Sequence, residues 1–292
     1  MTSASAPREA FAAAKVNLFL HVGPPQPDGY HPIASLFVFA DVGDRLALRD
    51  EAGPPLAIGG PFGGELSAGP DNLVIRAAEA LSRDLAVGLK LEKHLPLAAG
   101  LGGGSADAAA TLRLLNPLLP EPRAAAELTA IAARLGADVA ACLESRPVMA
   151  TGRGDQLSPA PRLPVLHAVL VNPGVESPTG PVYRAYDQGV QAAADGPDMP
   201  ESLATARDVA DLIDRARNDL EAPAVRLAPE IGTVLDVLRA APETLAARMS
   251  GSGATSFALC PGAAGAEALA ARLAAAHPRW WVRACRLGGP WT

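Results

Sequence analysis

The chain reads as a mixed α/β protein of two domains. Three observations predict this. Its 292 residues suffice for two cores of ordinary size, strand-like and helical patterns of apolar residues interleave along the whole length, and the Pro-rich stretch Leu157 to Pro164 offers a linker. We set the division at 1–163 and 164–292; one large domain is the alternative at this length. Hydrophobic residues make up 49% and charged residues 19%, and 28 Gly with 28 Pro stay below the level of a disordered chain, so a packed core is expected.

Taken in order, Phe11 to Val22 alternates Val16, Leu18 and Leu20 with Lys15, Asn17 and His21, a strand that the turn residues of Gly23 to Gly29 end. Ile33 to Phe39 and Arg45 to Arg49 read as two more strands joined by a turn at Asp41 to Asp44, so two hairpin-like units open the chain. Gly53 to Pro70 reads as a loop or irregular hairpin. Asp71 is placed as the N-cap of a helix whose face carries Leu73, Ala77, Ala80 and Leu81. A short strand at Leu89 to Lys93 and helices at Ala106 to Leu115 and Arg123 to Leu135 complete the first half. In the second, a buried strand at Leu166 to Val171 precedes a Pro-interrupted loop and helices around Leu203 to Leu220 and Ile231 to Leu238. A strand at Ser256 to Leu259, a helix at Ala264 to Ala276 and a strand near Trp281 to Cys285 follow, the pattern of a split β-α-β sandwich.

A net charge of −6 gives no field that would draw the chain to nucleic acid or an anionic membrane, so neither is expected as a partner and an anionic ligand needs a local site. Cys142, Cys260 and Cys285 are far apart and odd in number, which argues against a disulfide framework or a structural zinc site. No apolar run approaches the roughly 20 residues of a membrane span. The N-terminal stretch carries Arg8 and Glu9 without an apolar signal core, so a cytoplasmic protein is expected. Of 25 basic residues only Lys15, Lys90 and Lys93 are Lys. A GC-rich codon bias accounts for the Arg excess and leaves Lys90 and Lys93 without a role; the persistence of Lys15 asks for a reason.

The most informative segment is "PLAAGLGGGSADAAATLRLLN", Pro96 to Asn116. Gly100, Gly102, Gly103 and Gly104 run into Ser105 and a helix start, where unpaired N–H groups and the helix dipole favour an anion, above all phosphate. A glycine-rich turn that only caps a helix is the plainer alternative. The P-loop pattern fails because no Lys follows the glycines, and a dinucleotide GxGxxG fails because its last position falls on Ser105 or Asp107.

This segment resembles the second motif of the GHMP small-molecule kinases, which wraps the phosphates of ATP. "AAAKVNLFLHV" (Ala12 to Val22) and "MSGSGATSFAL" (Met249 to Leu259) resemble the first and third motifs, in family order. With "DGYHPIASLFVFADVGDRL", "DNLVIRAA", "GADV" and "RNDLE", the chain is similar to the branch that phosphorylates the cytidine-diphosphate derivative of methylerythritol. The resemblance implies a ribosomal-protein-like N-terminal α/β domain with a left-handed β-α-β crossover and a ferredoxin-like C-terminal one. It implies ATP as phosphoryl donor with Mg²⁺ carried on its phosphates, no metal-binding side-chain set, a small-molecule substrate, and a monomer or weak homodimer.

Residue by residue, the resemblance implies Asp138 as general base for the substrate hydroxyl and Lys15 beside it, orienting that hydroxyl and offsetting charge. It gives the nucleotide phosphates to Pro96, Leu97, Ala98, Ala99, Gly100, Leu101, Gly102, Gly103, Gly104, Ser105 and Ala106, with Ser105 a nucleotide or Mg²⁺ contact. Asn17 faces the same site, Tyr30 stacks on cytosine, His31 bonds its polar edge, and Thr179 and Tyr183 close over it. The sequence departs from the family pattern at Ala13, Ala140 and Asp155, none of which removes a charged or hydroxyl group assigned to catalysis. The alternatives are a sister kinase of the homoserine or mevalonate type and a nucleotide- or RNA-binding module without catalysis.

Overall fold

The computed structural model describes residues 7–49, 55–85 and 87–291. Gly53 and Pro54 of the expected loop, and the first six residues of the stretch read for an export signal, lie outside them. β1 (Glu9–Val22) and β2 (Ile33–Arg49) form one long antiparallel hairpin, with register shifts beside Ala13 and beside Asn17. Next come β3 (Leu56–Gly59), α1 (Leu73–Leu81) and β4 (Gly88–Glu92); β3 lies parallel to β4, which pairs with the far end of β2. Three helices follow, α2 (Gly103–Leu115), α3 (Ala125–Leu135) and α4 (Ala137–Glu144), then the hairpin β5 (Val148–Thr151) and β6 (Gln156–Pro159).

The second half runs β7 (Leu166–Asn172), α5 (Thr179–Asp187), α6 (Ala206–Arg215), α7 (Glu221–Leu227), α8 (Pro229–Arg239), β8 (Ala246–Met249), β9 (Ser256–Cys260), α9 (Ala263–Ala276) and β10 (Trp281–Gly288). Its strands lie in the order β10-β7-β9-β8, all antiparallel neighbours, which is the expected split β-α-β arrangement. The end of β10 pairs with β2 at Leu287↔Ala40, so the sheets of the two halves are continuous. The fold is the two-domain α/β architecture read from the sequence.

α2 is the central helix of the first half. Ala106 to Leu112, Leu114 and Leu115 are buried, and the run of alanines lets β1, β2, α1 and α4 approach it from several sides at once. Arg113 ties its C-terminal half to its neighbours: Nη1 donates to the carbonyls of Cys142 and Leu143 at 2.9 and 3.1 Å, and Nη2 to the Phe11 carbonyl at 2.6 Å. The first two are carbonyls at the end of α4, which have no partner within that helix. One guanidinium thus fixes α4 relative to β1.

Several expectations need correction. Asp41 to Asp44 is no turn: β2 continues through it, because Asp44 points inward and pairs with Lys93, so a charge that looks like turn chemistry is buried in the sheet. The cap of α1 is Asn72, whose side chain accepts from Val74 N, and not Asp71. α2 starts at Gly103 rather than Ala106, since the glycines themselves supply its first turn. β3 lies within the stretch read as loop, and β6 occupies part of the stretch read as linker, because each finds a strand to pair with that local sequence does not reveal. α5 lies within the stretch read as a Pro-interrupted loop, with Pro178 as its cap, and of the helical stretch read from Leu203 to Leu220 only α6 is helix, capped by Thr205 and Asp208. Cys142, Cys260 and Cys285 are free and buried.

Arg113→Met, which keeps the stem and removes three charge-assisted bonds, is expected to cost about 2 to 3 kcal/mol. A urea titration against the unmodified protein checks this.

Candidate active site

The second edge of β1 pairs with loops instead of a strand. Lys15 N donates to Leu101 O at 2.8 Å, Asn17 N to Ser250 Oγ at 3.1 Å, Leu20 N to Arg217 O at 2.8 Å and Val22 N to Asp219 Oδ2 at 2.8 Å. These contacts dock the glycine-rich segment, the "MSGSG" segment and the "RNDLE" segment side by side. Between them opens a cleft of about 710 Å³ lined by both halves of the chain.

The two glycine loops meet backbone to backbone. A Cβ on Gly100 would lie 2.2 Å from Ser250 O, and its φ of +72° belongs to the left-handed region, so only glycine fits. Ser250 Oγ donates to Gly100 O at 2.8 Å while accepting from Asn17 N, and Thr255 N donates to Ala99 O at 3.1 Å. Asn218 Nδ2 holds the same loop through the carbonyls of Met249 and Gly251. The N-cap of α2, Gly102, has no side chain to occupy the first-turn N–H groups, which leaves an anion cradle at residues 103–105.

Lys15 is 5% exposed, and its Nζ donates to Asp138 Oδ2 at 2.8 Å and sits 4.1 Å from the centre of the Phe37 ring. Asp138 stands in the first turn of α4, where the helix dipole favours a carboxylate. Asn17 Nδ2 donates to Ser35 Oγ at 2.8 Å; its buried Oδ1 has no partner among the described residues and is an acceptor on the cleft wall. A carboxylate and an ammonium thus meet on the wall of the cleft that the glycine-rich helix start also lines.

A model of the GHMP kinases N terminal domain matches residues 72–146, and one of the GHMP kinases C terminal domain matches residues 201–279. A 4-diphosphocytidyl-2-C-methyl-D-erythritol kinase of Caulobacter vibrioides (strain NA1000 / CB15N) is 60% identical over 95% of this chain and 98% of its own length. The chain belongs to the 4-diphosphocytidyl-2-C-methyl-D-erythritol kinase family of GHMP kinases. A relative of that name from Cereibacter sphaeroides (strain ATCC 17025 / ATH 2.4.3) is 50% identical, covering 96% of this chain and 99% of its own. A crystal structure of a 4-(cytidine 5'-diphospho)-2C-methyl-D-erythritol kinase matches with a TM-score of 0.74 at 37% identity, over 97% of this chain and all of that one. A homoserine kinase from Cytophaga hutchinsonii, at TM-score 0.69 and 20% identity, shares the fold.

Of the residues singled out in this GHMP kinase, Lys15, Asn17, Asp138, Thr179, Tyr183 and Pro96 through Ser105 line the cleft. Ala106 does not: it belongs to α2, and its side chain is buried in the core. Tyr30 and His31 stand outside the cleft wall. Tyr30 is 57% exposed with the Arg153 guanidinium 4.3 Å over its ring, and Arg153, which does line the cleft, also pairs with Asp28. His31 Nε2 donates to Asp187 Oδ1 at 2.7 Å and its ring lies 4.8 Å from that of Tyr183. Burial, with the nearby Asp138 charge, pushes the Tyr183 phenol up to about 12, so it stays neutral. Thr179 Oγ1 lies 3.0 Å from Ser252 Oγ, joining α5 to the third glycine loop. At the departures, Ala13 pairs with Gly43 in the sheet, Ala140 is buried in α4, and Asp155 Oδ1 accepts from Arg153 N.

The sequence reading missed Ser250, Asn218 and Arg153, although "MSGSG", "RNDLE" and "TGRGD" were legible as motifs. It also left Lys93 without a role, and that is corrected: Lys93 is buried, pairs with Asp44 and Asp107, and lines the cleft. Burial alone would push its pKa down, but the Asp107 and Asp44 carboxylates outweigh this and hold it above the ordinary lysine value. Burial and the Asp44 charge raise Asp107 to about 7 against the opposing pull of Lys93.

Ser250→Ala leaves a buried N–H of Asn17 and a carbonyl of Gly100 without their partner. The expected loss is about 1 to 3 kcal/mol of stability, with turnover reduced more than the melting change explains, read by thermal melting beside steady-state kinetics.

Proposed function

We propose that this chain phosphorylates the 2-hydroxyl of 4-diphosphocytidyl-2-C-methyl-D-erythritol with ATP, giving the 2-phosphate and ADP for isoprenoid precursor synthesis. The single observation that carries the site assignment is the 2.8 Å pair of Lys15 and Asp138 beside the glycine-rich helix start. In this reading residues 96–105 hold the triphosphate, with first-turn N–H groups of α2 on its oxygens. Asp138 takes the proton of the substrate hydroxyl, whose oxygen forms the new bond to the γ-phosphorus as the bridge to the β-phosphate breaks. Lys15 donates to the oxygen of that hydroxyl and orients it, and Asn17 faces the same site. Mg²⁺ would arrive on the phosphates, with Ser105 within the same loop to meet it, and would offset their charge. We place the meeting of the two domains at 163/164, so that each supplies one wall of the cleft.

On the substrate side, Tyr30 provides an exposed ring for cytosine and Tyr183 a second ring. With Nε2 committed to Asp187, His31 has Nδ1 left to bond the polar edge of the base. Thr179 closes over the same ligand.

Incubated with Mg-ATP and the cytidylylated substrate, the protein is expected to release ADP and form the 2-phosphate; no ADP release with this substrate sinks the assignment. Asp138→Asn should lower kcat by about 10² to 10⁴-fold while ATP affinity holds, and a fully active variant contradicts the base. Tyr30→Ala should raise KM for the cytidylylated substrate by about tenfold with little change for ATP. Equal losses for both ligands would remove Tyr30 from the cytosine site.

A further inference from the structure

Beneath the phosphate loop lies a buried ionic cluster that none of the roles above uses. Lys93 Nζ donates to Asp44 Oδ2 at 2.5 Å and to Asp107 Oδ2 at 2.6 Å, and the three residues are 2%, 0% and 2% exposed in the order Lys93, Asp44, Asp107. Asp44 comes from β2, Lys93 follows β4, and Asp107 stands in α2. Asp44 Oδ1 also accepts from His94 N at 2.6 Å and Leu95 N at 2.8 Å, gripping the segment that enters the loop at Pro96. The ammonium lies 3.0 Å from where a Cβ on Gly103 would sit, directly under the first residue of α2.

Charges buried this deeply are costly to desolvate, and neutral residues of equal size often serve the fold as well. Stability is therefore a weak reason for the cluster. What its bonds do fix is the spacing between the two ends of the loop, the entering segment 93–95 and the helix at 103–107. Small displacements of groups that hold a reacting phosphate have large kinetic effects.

We propose that Lys93 is a positioning residue for phosphoryl transfer, clamping both ends of the phosphate loop through Asp44 and Asp107 at the spacing a nucleoside triphosphate requires. The inference rests on the kinase reading of this loop, which ADP release by the unmodified protein tests separately.

The test is a triple variant, Lys93→Met with Asp44→Asn and Asp107→Asn, which removes all three charges with little change in volume. It should melt near the unmodified protein, with KM for ATP raised about tenfold or more, kcat lowered less, and KM for the cytidylylated substrate within about twofold. An unchanged KM for ATP, or an equal rise in both KM values, overturns the proposal. If the triple variant does not fold, Asp107→Asn carries the test, since it leaves Lys93 paired with Asp44. A rise of about threefold in ATP KM alone then supports the clamp, and no rise overturns it.

Discussion

The second edge of β1 is the constraint on which the site depends. A buried strand edge must satisfy its N–H and C=O groups, and here loops satisfy them. Lys15, Asn17, Leu20 and Val22 donate to Leu101, Ser250, Arg217 and Asp219, which belong to three segments. A strand partner would have closed the edge. Loop partners leave a cleft, and they bring three segments that are remote in sequence to one wall.

Side chains alternate along β1, so its register decides what that wall carries. Lys15 and Asn17 fall on the cleft side, while Ala14 and Val16 lie in the core. The register shift between Ala13 and Lys15 falls where Lys15 N turns to Leu101 O. α4 then presents Asp138 to Lys15, and Arg113 holds the far end of α4 to β1 through the Phe11 carbonyl. The ammonium position is narrow: it lies between the Phe37 ring and the Asp138 carboxylate, which suits a compact Lys better than a planar Arg fork. In a chain that uses Arg almost everywhere else, the other buried Lys, at 93, also sits under this loop between two carboxylates.

Much of this was legible before any coordinates. The alternation in Phe11 to Val22, the Ala-rich helix after the glycines and the strands of the second half are strong local patterns, and they hold. What sequence could not reveal was set by distant partners. Asp44 looks like a turn residue until Lys93 is seen beside it. β3, β6 and β8 are four residues long and exist because a neighbouring strand is there to pair with them. In the site, Ser250 and Asn218 lie inside legible motifs, yet they act through bonds to the backbone that no residue pattern displays. Ala106 shows the opposite error: a motif position whose side chain serves the core.

A crystal structure with a non-hydrolysable ATP analogue and the cytidylylated substrate bound together tests the arrangement most directly. The γ-phosphate is expected on the first-turn N–H groups of α2, with the acceptor hydroxyl within about 3 Å of the Asp138 carboxylate and next to Lys15. A triphosphate bound away from residues 100–105, or an acceptor hydroxyl out of reach of Asp138, would contradict it.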